Sequence, residues 1–168
     1  MRTLHNIDLK NNESGFTLRW QDRLILSHTA DAPCLWIGAG EADIEMFRGN
    51  FSIKDKLNEK IALTNATVTQ QSAGWAIRFT RGDAVSATLL VGVDAEGRLE
   101  LKLKNDAASH NRIWLRLAAQ PDDHIYGCGE QFSYFDLRGK PFPLWTSEQG
   151  VGRNKQTYVT WQDRKSTR

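Results

Sequence analysis

A chain of 168 residues, 40% hydrophobic and 25% charged, can bury roughly 70% of its unfolded surface around one core, which excludes the disordered class and small domains that depend on staples. Its 22 basic and 20 acidic residues nearly cancel to +2, so no field of one sign marks it for nucleic acid. No stretch carries the ~20 apolar residues of a membrane helix and the first residues lack the apolar core of a signal peptide, so a cytoplasmic protein without membrane or nucleic-acid partners is expected.

The first clear element comes at 16–28, where FTLRW and RLILSH alternate apolar and polar residues on either side of Gln21 and Asp22, the grammar of a β-hairpin. Next, IKDKLNEKIAL (53–63) reads as a helical turn or two, or as a solvated connector. Alternation returns in KIALTNATVTQ (60–70), GWAIRFTR (74–81), AVSATLLVGV (84–93), RLELKLKN (98–105) and NRIWLRLAA (111–119). Between two of these strands, RGD at 81–83 supplies a hairpin turn rather than an adhesion signal. Strands that show one face to a core and the other to water build two packed sheets, so the expected fold is all-β, an antiparallel β-sandwich. Trp20, Trp36, Trp75 and Trp114 fall in these strands or beside them, as core or rim residues. Cys34 and Cys128 form no Cys-x-x-Cys motif, and His5, His28, His110 and His124 show no ligand spacing. No metal or cofactor is therefore expected, and the histidines read as surface or edge residues.

After residue 124 the pattern changes, with Tyr126, Gly127, Cys128, Gly129 and Glu130 in succession. The glycines give no nucleotide fingerprint, because Phe132 stands where a G-x-G-x-x-G motif needs its third glycine. Farther along, Phe132, Tyr134, Phe135, Phe142 and Trp145 alternate with Arg138, Lys140, Glu148 and Arg153. Flat rings beside charged donors and acceptors suit a carbohydrate, whose C–H face stacks while its hydroxyls hydrogen-bond. The same composition also suits a loop whose aromatics close one end of the sandwich. Glu130, Asp136 and Glu148 would serve as a glycosidase pair only if held at ~5–5.5 Å or ~6.5–9.5 Å, which loop spacing does not establish. Hydrogen-bonding a hydroxyl or capping a turn is the commoner fate of such a carboxylate.

The segment resembles glycoside hydrolase family 31, the retaining α-glycosidases. YGCGE (126–130) is similar to the family's Y-G-x-G-E, LRG (137–139) follows, and LWTSEQG (144–150) is similar to its W-N-x-D stretch. The run EQFSYFDLRGKPFPLWTSEQGVGRNKQTYVTW is closer to the branch that cleaves α-glycosides of the sulfonated sugar sulfoquinovose. The resemblance implies a galactose-mutarotase-like sandwich over 1–124, a lid and interface segment over 125–155, and a cut-off last strand and tail over 156–168. It also implies that the catalytic aspartates belong to a (β/α)₈ barrel that no segment here resembles, so the chain alone would be inactive and the barrel would be its missing partner. Glu148, Gln149, Arg138, Trp145 and Arg153 would face the sugar, while Tyr126, Gly127, Gly129, Glu130 and Gly139 would carry the structural motif. Glu148 stands where the family commonly has aspartate, Thr146 where it has asparagine, and QDRKSTR (162–168) leaves the family pattern. The sandwich is therefore expected to be incomplete at its C-terminus. A self-standing carbohydrate-binding module and a structural docking partner remain the alternatives.

Overall fold

A computed structural model describes residues 6–47, 50–83, 85–106, 108–127 and 134–140. Among these described residues ten strands run in chain order: β1 (Ile7–Asn12), β2 (Gly15–Trp20), β3 (Arg23–Thr29), β4 (Leu35–Phe47), β5 (Asn50–Ala62), β6 (Asn65–Gln71), β7 (Gly74–Arg81), β8 (Val85–Val93), β9 (Leu99–Asn105) and β10 (Arg112–Leu115). They form three sheets, ordered β1-β2-β3, β6-β7-β8-β9 and β10-β4-β5, with antiparallel pairing throughout the first two and between β10 and β4. The first two are meanders, as local hairpin connections favour. The third brings β10 back to β4 from far along the chain.

The Gln21–Asp22 turn follows the expected hairpin. Trp20 pairs with Arg23, and φ is 49° at Gln21 and 65° at Asp22, the left-handed pair that a two-residue turn between twisted strands needs. A register shift at Leu18/Arg19 leaves Ile25 as the extra residue of a bulge. The RGD triplet is likewise a turn, with Gly82 at φ 63° between Arg81 and its partner Val85.

Several expectations need correction. The 53–63 stretch is strand as far as Ala62, within β5, and no helix occurs among the described residues. The run 60–70 is two strands, broken at Leu63 and Thr64, and 111–119 is strand only as far as Leu115. In that last case the partner runs out, since Leu115 pairs with Leu35, the first residue of β4.

By internal contacts the chain divides into two units, Met1–Glu41 with Lys56–Ala119, and Ala42–Asp55 with Gln120–Arg168. The core lies in the first. Phe16, Leu18, Leu26, Leu35, Ile37, Ile77, Phe79, Leu89 and Val91 come from all three sheets and are shielded from water together. Alternation produces this: Leu35 and Ile37 point inward from β4, and Ile77 and Phe79 do so from β7.

Expected as surface or edge residues, His28 sits in this core at 1% exposure, though on the edge strand β3, and His110 is 9% exposed, so neither lies at the surface. The His28 ring stacks on Phe16 at 5.5 Å and meets Phe79 edge-on at 5.2 Å. Its Nδ1 accepts from the Cys34 backbone N–H at 3.3 Å, so the proton lies on Nε2, which donates to the Thr64 carbonyl at 3.2 Å. The imidazole is thus neutral and fully engaged. Burial, the largest cause, lowers its pKa below the ordinary value against the raising effect of the Thr64 bond.

Candidate functional site

The second unit contains the segment whose composition suggested chemistry. Its described limbs are 120–127 and 134–140, and one carboxylate joins them. Asp136 accepts from the Ile125 N–H at 3.1 Å, the Arg138 N–H at 3.0 Å and His124 Nδ1 at 2.7 Å. A carboxylate accepting three such bonds is strongly favoured over its acid form. The His124 bond first, then the Arg138 and Ile125 amides, hold its pKa down at about 2. Because the ionised carboxylate only accepts, Nδ1 of His124 carries a proton.

Two further contacts close the clasp. Leu137 N–H donates to the Ile125 carbonyl at 2.7 Å, and the Arg138 guanidinium spans the carbonyls of Gln120 and Asp123, the latter at 2.8 Å. Gly139 makes the turn that follows with φ 67°, and Lys140 N–H returns to the Leu137 carbonyl at 3.0 Å. Five hydrogen bonds between the limbs therefore fix two short stretches that have no ladder of their own.

Aromatic rings stand around this frame. His124 stacks on Tyr126 with centroids 5.9 Å apart, Tyr126 meets Phe135 at 4.9 Å, and the Lys140 ammonium lies 5.0 Å from the Tyr134 ring. Phe135 is 87% exposed and Tyr126 47%. Rings held in place with open faces can take an apolar ligand surface or a sugar's C–H face. In the same unit, β4 and β5 carry exposed Ile44, Met46 and Ile53.

Of the residues expected to face a sugar, Arg138 is described, and its guanidinium is engaged by backbone carbonyls of the clasp. Of the expected structural motif, Tyr126, Gly127 and Gly139 are described, with Gly127 at φ 111°. Trp145, Glu148, Gln149, Arg153, Gly129 and Glu130 lie outside the described residues. Asp136, weighed as half of a glycosidase pair, does the work of a turn cap. His124 and Asp136 as partners were not anticipated, since they are twelve positions apart with no repeating pattern between them.

The first unit has a cleft of about 150 Å³ lined by Asn12, Glu13, Ser14, His28, Thr64 and Asn65 among others. Both His28 nitrogens are already bonded, so the cleft gains no reactive group from it. Among the described residues, no three His, Cys, Asp or Glu side chains converge as metal ligands.

A family model described as the glycosyl hydrolase 31 N-terminal galactose mutarotase-like domain matches residues 9–161. The sulfoquinovosidase of Escherichia coli (strain K12) is 74% identical over 159 residues, 95% of this chain and 24% of that protein. The sulfoquinovosidase of Agrobacterium fabrum (strain C58) is 42% identical over 159 residues, 90% of this chain and 22% of that one. Among solved structures, a family 31 sulfoquinovosidase from E. rectale in complex with an aza-sugar inhibitor superposes with a TM-score of 0.71 at 38% identity, covering 93% of this chain and 23% of that one. The chain spans about a quarter of the length of the curated relatives it matches.

Proposed function

This chain belongs to glycoside hydrolase family 31, in its N-terminal galactose mutarotase-like domain, and on that premise we propose that it is the non-catalytic sandwich of an α-glycosidase acting on sulfonated sugars. The extent of the family match carries this reading. It runs through 9–161 and so takes in the segment 125–155 along with the strands.

In this reading 1–124 is the scaffold and 125–155 is a lid toward a sugar pocket completed by a (β/α)₈ barrel. The Asp136 clasp fixes the base of the lid. Beyond it, Glu148 and Gln149 would bond sugar hydroxyls, Trp145 would stack on the ring, and Arg153 would add charge. Arg138 would act through the frame it holds. Retaining hydrolysis needs a nucleophilic carboxylate and an acid/base carboxyl ~5–5.5 Å apart, and these belong to the barrel in this scheme.

The test is an aryl α-sulfoquinovoside offered to the purified 168-residue chain, where no hydrolysis is expected. Turnover by the chain alone, abolished by Glu148→Ala, would overturn the reading. Mixing the chain with the remaining part of the E. coli sulfoquinovosidase should yield a soluble complex that turns over the substrate. Exposed Tyr126 and Phe135 favour one other reading, a carbohydrate-binding module. Calorimetry that gave saturable sugar binding by the chain alone, with no complex formed, would establish that reading instead.

A further inference from the structure

The outer face of sheet β10-β4-β5 carries a cluster that the lid reading does not use. Leu35 and Ile37 turn into the core, so Trp36 between them turns away, and it pairs directly with Trp114 of β10. Trp114 lies over Gly38, where an added Cβ would come within 2.9 Å of its ring. Glycine there leaves room for the indole beside β4, as well as for the Glu59 carbonyl of β5.

Two cations join the rings. Lys60 Nζ of β5 is 4.6 Å from the Trp114 centroid and 5.3 Å from that of Trp36, and the Arg116 guanidinium is 5.6 Å from the Trp36 centroid. Arg116 also donates to the Ala32 carbonyl at 3.0 Å. Among the described residues, neither cation has a carboxylate within ion-pair distance. That contrasts with Arg98, which is paired with Asp94 and Glu96, and with Lys102, paired with Glu100.

We propose that Trp36, Trp114, Lys60 and Arg116 form a binding face for an anionic pyranoside, a six-membered sugar that carries a carboxylate or sulfonate. The anion takes the place of the missing carboxylate on Lys60 and Arg116, and the C–H face of the sugar covers the indoles. A bare inorganic anion would leave the paired rings unused, and a neutral sugar would leave the two charges uncompensated. The patch of two rings and two cations matches one sugar ring better than an extended acidic peptide.

The test follows the tryptophan indole N–H signals of the full chain by NMR during titration with methyl glucuronide. Shifts confined to Trp36 and Trp114 are expected, saturating at millimolar ligand and weakening as salt rises, because the cations are exposed. Replacing Lys60→Gln and Arg116→Gln together should weaken binding at least about fivefold while the core signals of Phe79 and His28 stay in place. Should that pair disturb the fold, Lys60→Gln alone and the salt series of the unaltered chain provide the same reading. Equal affinity for methyl glucoside, equal affinity for inorganic sulfate, no shift at all, or a response to an acidic peptide only would each overturn the proposal.

Discussion

Replacing Gly74 with alanine tests the strand geometry most directly. Gly74 opens β7, pairs with Gln71 on one side and Gly92 on the other, and has φ 148°. A Cβ built there would lie 1.9 Å from the Val91 carbonyl oxygen and 3.1 Å from the Gly92 Cα, both backbone atoms that no rotamer change can move. Relief requires β7 and β8 to part by more than an ångström at this pair. That sacrifices one or two ladder hydrogen bonds at about 1 kcal/mol each, on top of about 1–3 kcal/mol for holding alanine in a glycine-only backbone region. The expected loss is about 3–5 kcal/mol, read as a lower guanidinium midpoint at an unchanged slope. Gly82→Ala is the control, because a Cβ there meets nothing within 4 Å and only the positive φ of 63° is strained, for about 1–2 kcal/mol. A Gly74→Ala loss no larger than that of Gly82→Ala would refute the steric argument.

Acid should weaken the fold through His28. Its folded pKa lies below the unfolded 6.5, so the unfolded chain binds more protons and stability is full above 6.5 and declines as pH falls toward the folded pKa. One proton sets a slope of at most about 1.4 kcal/mol per pH unit, measurable as denaturant midpoints at stepped pH; a midpoint that rises on acidification would contradict it. Asp136, with a folded pKa of about 2 against 3.8, adds stability that is present above 3.8 and lost on approach to 2. Asp136→Asn should open the clasp locally, speeding amide exchange at Ile125 and Arg138 while the β7 amides keep their protection, and uniform loss across both would argue against a local role. Burial pushes the Cys34 thiol up to about 11, so the Cys34 peptide should resist alkylation until the chain unfolds, and modification in the native state would place the thiol nearer the surface than found.

The elements legible in the sequence are those whose alternation is set by one buried face. GWAIRFTR and AVSATLLVGV are such strands, and they became β7 and β8 within a residue of the expected bounds. The helical reading of 53–63 failed for an identifiable reason. Ile53, Leu57 and Ile61 recur every four residues, a spacing that fits one helix face and equally one face of a strand. Pairing with β4 decided between them, and Ile53 and Leu57 are more than 40% exposed, so no buried stripe revealed the choice. β4 itself was unreadable because Trp36, Gly38 and Gly40 occupy its outer face. Glycine there makes sense only once β5 and Trp114 are in place, since an added Cβ at Gly38 would meet the Glu59 carbonyl and then the Trp114 ring, and one at Gly40 the Lys56 carbonyl. His28 was within reach: it lies two residues after Leu26 and on the same face, so alternation alone placed it inward.

The candidate site was legible as composition and not as geometry. Aromatics and charges in 125–155 pointed to a sugar, and the motif YGCGE pointed to the family, but neither could say which charges were already spent. The structure spends two of them on the segment itself, Asp136 on three donors and Arg138 on two carbonyls. A carboxylate saturated in this way is a poor nucleophile and a poor acid, since each donor stabilises its charge and its pKa of about 2 leaves it ionised at any working pH. The groups left for a ligand in the described part of the segment are therefore rings, with Lys140 beside Tyr134 and the His124 ring against Tyr126. A surface of that kind can hold and exclude water but supplies no carboxyl pair.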